Sequence, residues 1–183
     1  GLSPSKVPQR HSSTSRSMSI FSHTINQIDG TPLDLKTLQG KKSAFLIINM
    51  ASYWGATSRN YKGLQALEET YGGSDGKLFI MGMPCNSFGR QEPGTNAEIA
   101  AFAEKKKATF TMFEKVKCDN GAETHPLYHD LIHSEVNGGE GLSWNFAKFL
   151  CDKDGMVVKR YSSGSNPADC EPDIKALIDQ GTL

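Results

Sequence analysis

Between residues 44 and 51 the chain reads Ala-Phe-Leu-Ile-Ile-Asn-Met-Ala, an apolar run broken only by Asn49. Its length and Ile-Ile centre suit a strand covered on both faces, as inside a largely parallel sheet. It falls far short of the ~20 residues a membrane-spanning helix needs. A parallel neighbour requires a crossover, and the next segment supplies one. Tyr61, Leu64, Leu67 and Tyr71 recur at helical spacing, Gly72-Gly73 stops the helix, and 78–85 reads as the next strand.

The rest of the chain continues the alternation. Thr95-x-x-Glu98 has the form of a capping box opening a helix that places Ile99 and Phe102 on one face. A strand is expected at 110–116, then a helix near 124–133 burying Leu127, Tyr128, Leu131 and Ile132. Segments 145–151 and 156–161 flank Asp154-Gly155, a hairpin signal, before a last helix carrying Ile174, Leu177 and Ile178. Upstream, Asp29-Gly30 sits between 20–27 and 32–36 as a second hairpin turn. The pattern predicts an α/β fold with a central mixed β-sheet flanked by helices and preceded by an N-terminal hairpin.

The 183 residues suit one domain, placed at 19–183. Residues 1–18 carry Lys6, Arg10 and Arg16 without an acidic residue and are rich in Ser and Pro. They read as a flexible tail or as the remnant of an organelle transit segment. Lys+Arg and Asp+Glu balance at 20 each, which argues against a nucleic-acid binder. Cys85, Cys118, Cys151 and Cys170 are too widely spaced for a zinc site or a disulfide framework, so each is read as a buried apolar residue. That usage fits a reducing compartment, cytoplasmic or mitochondrial, rather than secretion.

No phosphate-cradling glycine motif, GxSxG elbow or HExxH helix occurs. His125, His129 and His133 fall at i, i+4 and i+8, one helical face, with Asp130 pointing away from it. A metal there would lack an obvious carboxylate or thiol ligand, so no metal is expected. The loop Ala51-Ser-Tyr-Trp54-Gly-Ala-Thr57 is more informative. It lies at the carboxyl end of the buried strand and before a helix N-terminus, where an open α/β sheet collects active-site groups. A thiolate or selenolate there would be stabilised by helix-terminal N–H groups. This chain has Trp54.

Several segments together resemble the glutathione peroxidase family. They are Asn49-Met-Ala-Ser52 with Gly55-Ala-Thr57, Met83-Pro-Cys-Asn86 through Phe88-Gly-Arg-Gln91-Glu-Pro-Gly94, and Trp144-Asn-Phe146 with Lys148-Phe-Leu150. His125-Pro-Leu-Tyr128 and Val157-Val-Lys-Arg-Tyr161 extend the likeness over about 19–180. The resemblance implies a thioredoxin-like fold and a peroxidase that reduces hydroperoxides with thiols. The family's peroxidatic selenocysteine or cysteine corresponds to Trp54, and the rest of its catalytic tetrad to Gln91, Trp144 and Asn145. With Trp54 at that position the resemblance implies an inactive chain. Selenocysteine is encoded by UGA, one base from the tryptophan codon, so Trp is the residue expected from read-through or recoding.

The resemblance further implies glutathione as reducing co-substrate, with no bound cofactor, and lipid and organic hydroperoxides as substrates. Thioredoxin-dependent members carry a resolving cysteine where this chain has Glu104, so a two-cysteine relay is not expected. The short link before Trp144 resembles the monomeric phospholipid hydroperoxide type, whose open site meets peroxidised lipid at membrane surfaces. Lys62, Arg90 and Lys148 near the site read as a solvated charged surface.

Overall fold

The computed structural model describes residues 18–181. It opens with an antiparallel hairpin, β1 (Thr24–Asn26) and β2 (Pro32–Asp34), in which Thr24 faces Asp34. Gly30 takes φ +89° in the turn, a value glycine adopts without the steric cost of a Cβ. The central sheet follows. β3 (Ala44–Met50) leads into α1 (Thr57–Tyr71), which returns to β4 (Leu78–Pro84) parallel to β3. Then α2 (Asn96–Lys105) leads to the short β5 (Thr111–Met112), parallel to β4. After α3 (Pro126–Ile132), the antiparallel pair β6 (Lys148–Cys151) and β7 (Val157–Tyr161) adds to the far side of β3, and α4 (Glu171–Gln180) closes the chain. The strand order is β5-β4-β3-β6-β7.

Every residue of β3 is buried because side chains alternate between two apolar layers. Phe45 and Ile47 pack with Met81, Phe149, the α3 residues Leu127, Tyr128 and Leu131, and Ile20, Ile25 and Leu35 of the N-terminal region. Ala44, Leu46 and Ile48 pack with Tyr61, Leu64 and Leu67 of α1, Ile99 of α2 and Ile174 of α4. The continuous apolar run therefore marks the middle strand of a sheet covered on both sides. The capping box at α2 forms as expected: Glu98 N–H donates to Thr95 Oγ1 at 3.2 Å, and Thr95 N–H to Glu98 Oε1 at 3.5 Å.

Five expectations are corrected. The strand expected at 110–116 keeps only two ladder residues, Phe113 turning instead to a single bridge with Gln27. The strand expected from 145 begins at Lys148, because Phe146 has φ +62° and its N–H donates to Asn49 O at 2.7 Å. Cys85 and Cys118, read as plain apolar residues, form a disulfide, whereas Cys151 and Cys170 are free and buried. Asp130 does not stand apart from the histidines: its carboxylate lies 2.7 Å from His23 Nε2 and 3.6 Å from His129 Nδ1. Lys148 is wholly buried rather than solvated, its Nζ donating to Ser165 O at 2.5 Å. Burial pulls its pKa down to about 8. The tail, apart from Met18, lies outside the described residues.

Candidate active site

The loop joining β3 to α1 is shaped by Thr57. Its hydroxyl donates to Ala51 O at 2.8 Å and accepts from Trp54 N–H at 3.1 Å, while its own N–H donates to Trp54 O at 3.0 Å. One buried side chain thus closes the turn and sets residue 54 at the amino end of α1. From the other side, Ser52 and Tyr53 N–H donate to Gln91 O at 3.2 and 3.0 Å. Ser52 N–H also reaches Glu92 Oε1 at 3.1 Å. The backbone of residues 52–54 is therefore docked on the segment that carries Gln91.

That segment meets a third. Asn145 Nδ2 donates to Gln91 Oε1 at 2.7 Å and to Phe88 O at 3.4 Å. With its oxygen so occupied, the Gln91 amide keeps its NH2 group as a donor. Asn145 is placed by Asn49 at the end of β3. The Asn49 side chain donates to Trp144 O at 3.0 Å and its carbonyl accepts from Phe146 N–H, so residues on both sides of Asn145 are pinned to one strand residue. Trp144 is 37% exposed and packs against Phe88, ring centroids 6.0 Å apart. Gly89 makes room for it. A Cβ at that position would stand 2.9 Å from the Trp144 ring and 3.3 Å from Gln91 Cδ, and φ there is +66°.

The structure therefore brings Gln91, Trp144 and Asn145 into one constellation, and the backbone bonds to Gln91 bring the loop of Trp54 beside it. The Trp54 side chain is half-buried and stacks on Phe146, the residue after Asn145, with centroids 5.8 Å apart and planes at 18°. Preorganised amide and indole N–H donors of this kind can stabilise an anion. Tyr53 beside it is 69% exposed. Lys62 and Arg90 are exposed.

Four supporting residues were not singled out as functional from sequence: Asn49, Thr57, Asn86 and Glu92. Asn49 carried a signal, being the lone polar residue of a buried strand. Glu92 is fully buried, its N–H donating to Asn86 Oδ1 at 2.9 Å. Burial pushes its carboxyl up to about 7, opposed by the bond from Ser52 and the charge of Lys115. Its Oε2 and the Ser52 Oγ are buried without partners.

The histidine face does not converge. His125 Nδ1 accepts from Leu127 N–H at 3.1 Å as the cap of α3, and burial together with the nearby His23 lowers its pKa. The His129 and His133 ring centroids lie 4.5 Å apart with their planes tilted at 42°. Among the described residues no group of three His, Cys, Asp or Glu side chains is placed to hold a metal. Nor is any helix among them long and apolar enough to cross a membrane.

The fold and the loop at the carboxyl end of β3 define a thioredoxin-like α/β protein. A thioredoxin-family thiol:disulfide interchange protein from Chlorobium tepidum, 14% identical, superposes with a TM-score of 0.63 over 85% of this chain and 92% of its own. The chain belongs to the glutathione peroxidase family, whose model matches residues 20–132. A probable phospholipid hydroperoxide glutathione peroxidase of Mesembryanthemum crystallinum is 44% identical over 168 residues, covering 91% of this chain and 96% of that protein. A hydroperoxy fatty acid reductase of Synechocystis is 41% identical over 167 residues, covering 87% and 95%.

Proposed function

We propose that this scaffold performs glutathione-dependent reduction of phospholipid and organic hydroperoxides to alcohols, through a selenocysteine or cysteine at position 54, and that Trp54 leaves this chain inactive. The observation that carries the reading is the Asn145–Gln91 amide pair set beside the docked loop of residue 54. A selenolate or thiolate at 54 attacks the distal peroxide oxygen. The O–O bond breaks, the alcohol leaves with a proton, and a selenenic or sulfenic acid remains. One glutathione displaces water from that acid to give a selenenyl sulfide or mixed disulfide, and a second restores the nucleophile and releases glutathione disulfide. Hydrogen bonds from Gln91, Asn145 and Trp144 keep the anion ionised and help a proton from solvent reach the leaving oxygen.

The free thiols elsewhere are poor substitutes for the missing nucleophile. Cys151 is buried with its pKa pushed far up, and burial raises Cys170 to about 12. Exposed Tyr53 and Trp144 beside the site suit transient contact with a lipid surface, since aromatic rings favour the membrane interface. Our reading is of a monomer working in cytoplasm or mitochondria in antioxidant defence.

A second reading follows from the Trp54 ring, which is accommodated against Phe146 without displacing Gln91 from Asn145. In it the protein is a degenerate, non-catalytic binding member of the family. Glutathione-dependent turnover of phosphatidylcholine hydroperoxide by the Trp54→Cys protein separates the two: turnover supports the peroxidase, and none with glutathione or thioredoxin supports the binding protein.

A further inference from the structure

Cys85 and Cys118 are wholly buried, 33 residues apart in sequence, and joined. A backbone bond next to the disulfide joins their segments independently of it: Val116 N–H donates to Pro84 O at 2.9 Å, while Cys85 N–H is itself anchored to Met50 O of β3 at 3.0 Å. Opening the disulfide would therefore leave two sulfurs still facing each other, which makes reclosure fast.

The surroundings also provide for the reduced state. Cys85 Sγ lies 3.2 Å from Ser87 Oγ, and the Ser87 hydroxyl donates to Asp119 Oδ1 at 3.1 Å. As a thiol, Cys85 would donate to Ser87, whose own proton points to the exposed Asp119 carboxylate. A buried sulfur thus has a hydrogen-bonded route to solvent for the proton it must lose to become a nucleophile. The residues that flank both cysteines, Asn86, Ser87, Lys115, Val116, Lys117 and Asp119, line a cleft of about 530 Å³, the sulfurs themselves lying behind this lining.

We propose that Cys85 and Cys118 form a second, reversible redox centre that exchanges electrons with low-molecular-weight thiols and disulfides entering this cleft, independently of residue 54. In the oxidising direction the Cys85 thiolate attacks one sulfur of a small disulfide. Its S–S bond breaks, one small thiol leaves, and a mixed disulfide forms. The Cys118 thiolate then attacks Cys85 Sγ, releasing the second small thiol. Two protein thiols are oxidised, one small disulfide is reduced to two thiols, and the protons lost by the cysteines end on the departing thiolates. The centre adjoins the site through Asn86, which follows Cys85 and accepts the Glu92 N–H.

The intact chain, equilibrated in buffers of graded glutathione to glutathione disulfide ratio, is quenched in acid, denatured, alkylated and mapped by mass spectrometry. Cys85 and Cys118 should pass together from alkylated to protected within the range, while Cys151 and Cys170 stay alkylated throughout. A pair that remains bonded at the most reducing ratio, or free at the most oxidising, overturns the proposal. Cys118→Ala should trap a glutathione adduct on Cys85, and its absence in the folded variant counts against the exchange route. Ser87→Ala should slow oxidation at neutral pH by roughly tenfold or more without moving the midpoint; an unchanged rate would remove Ser87 from the route. The readout is labelling, so it stands or falls separately from peroxidase turnover.

Discussion

Asn145 donates its side-chain amide N–H to the side-chain oxygen Oε1 of Gln91 at 2.7 Å, although the two lie 54 residues apart. The bond ties the loop after β4 to the loop before β6, and both to the backbone that precedes residue 54. In a Trp54→Cys background, Asn145→Ala should lower kcat/KM for hydroperoxide by roughly 10²-fold, the size of loss seen when one preorganised donor is removed from an anion site. Steady-state kinetics check it, with circular dichroism confirming that the fold is kept.

Asn49 holds Trp144 and Phe146 through its side chain and its carbonyl. Asn49→Ala leaves the Trp144 carbonyl without that donor and should cost about 0.5–1.5 kcal/mol in urea unfolding. An unaltered midpoint would mean that Asn49 does not hold this loop.

Gly89 sits beneath Trp144 at φ +66°. Gly89→Ala adds both left-handed strain, about 1–2 kcal/mol, and a Cβ against the indole ring. The expected result is a less stable protein with altered Trp fluorescence, and in the Trp54→Cys background a slower enzyme.

Glu92 titrates near 7 in the folded chain against an ordinary value of 4.5. The folded state thus holds a proton the unfolded chain has lost, so stability falls as pH rises from about 4.5 to about 7 and is flat beyond. Glu92→Gln removes this dependence and should raise stability at pH 8 by roughly 1–3 kcal/mol relative to the parent, with little change at pH 4. Equal unfolding free energies for the two proteins at pH 8 would contradict it.

Much of the fold was legible because its signals are local. The apolar run of β3, the 3–4 spacing of Tyr61, Leu64 and Leu67, and the Thr95–Glu98 box each report a structure within a few residues. What was missed depends on partners distant in sequence. Phe146 breaks the expected strand because Asn49 takes its N–H across the sheet, and Asp130 turns to His23, 107 residues away. The Cys85–Cys118 pair was hidden for the same reason, since spacing does not say which loops the sheet brings together. In the site, Gln91, Trp144 and Asn145 were visible through family motifs, whereas Glu92 and Asn86 act beneath the surface as supports, and only burial and bonding distinguish them from ordinary loop residues.

The most direct test is NADPH-coupled, glutathione-dependent reduction of phosphatidylcholine hydroperoxide by three proteins: the unsubstituted chain, Trp54→Cys, and Trp54→Cys with Gln91→Ala. A peroxidase scaffold without its nucleophile predicts no turnover for the first, clear turnover for the second, and a loss of roughly 10²-fold or more for the third. Turnover by the unsubstituted chain, or none by Trp54→Cys, would contradict it.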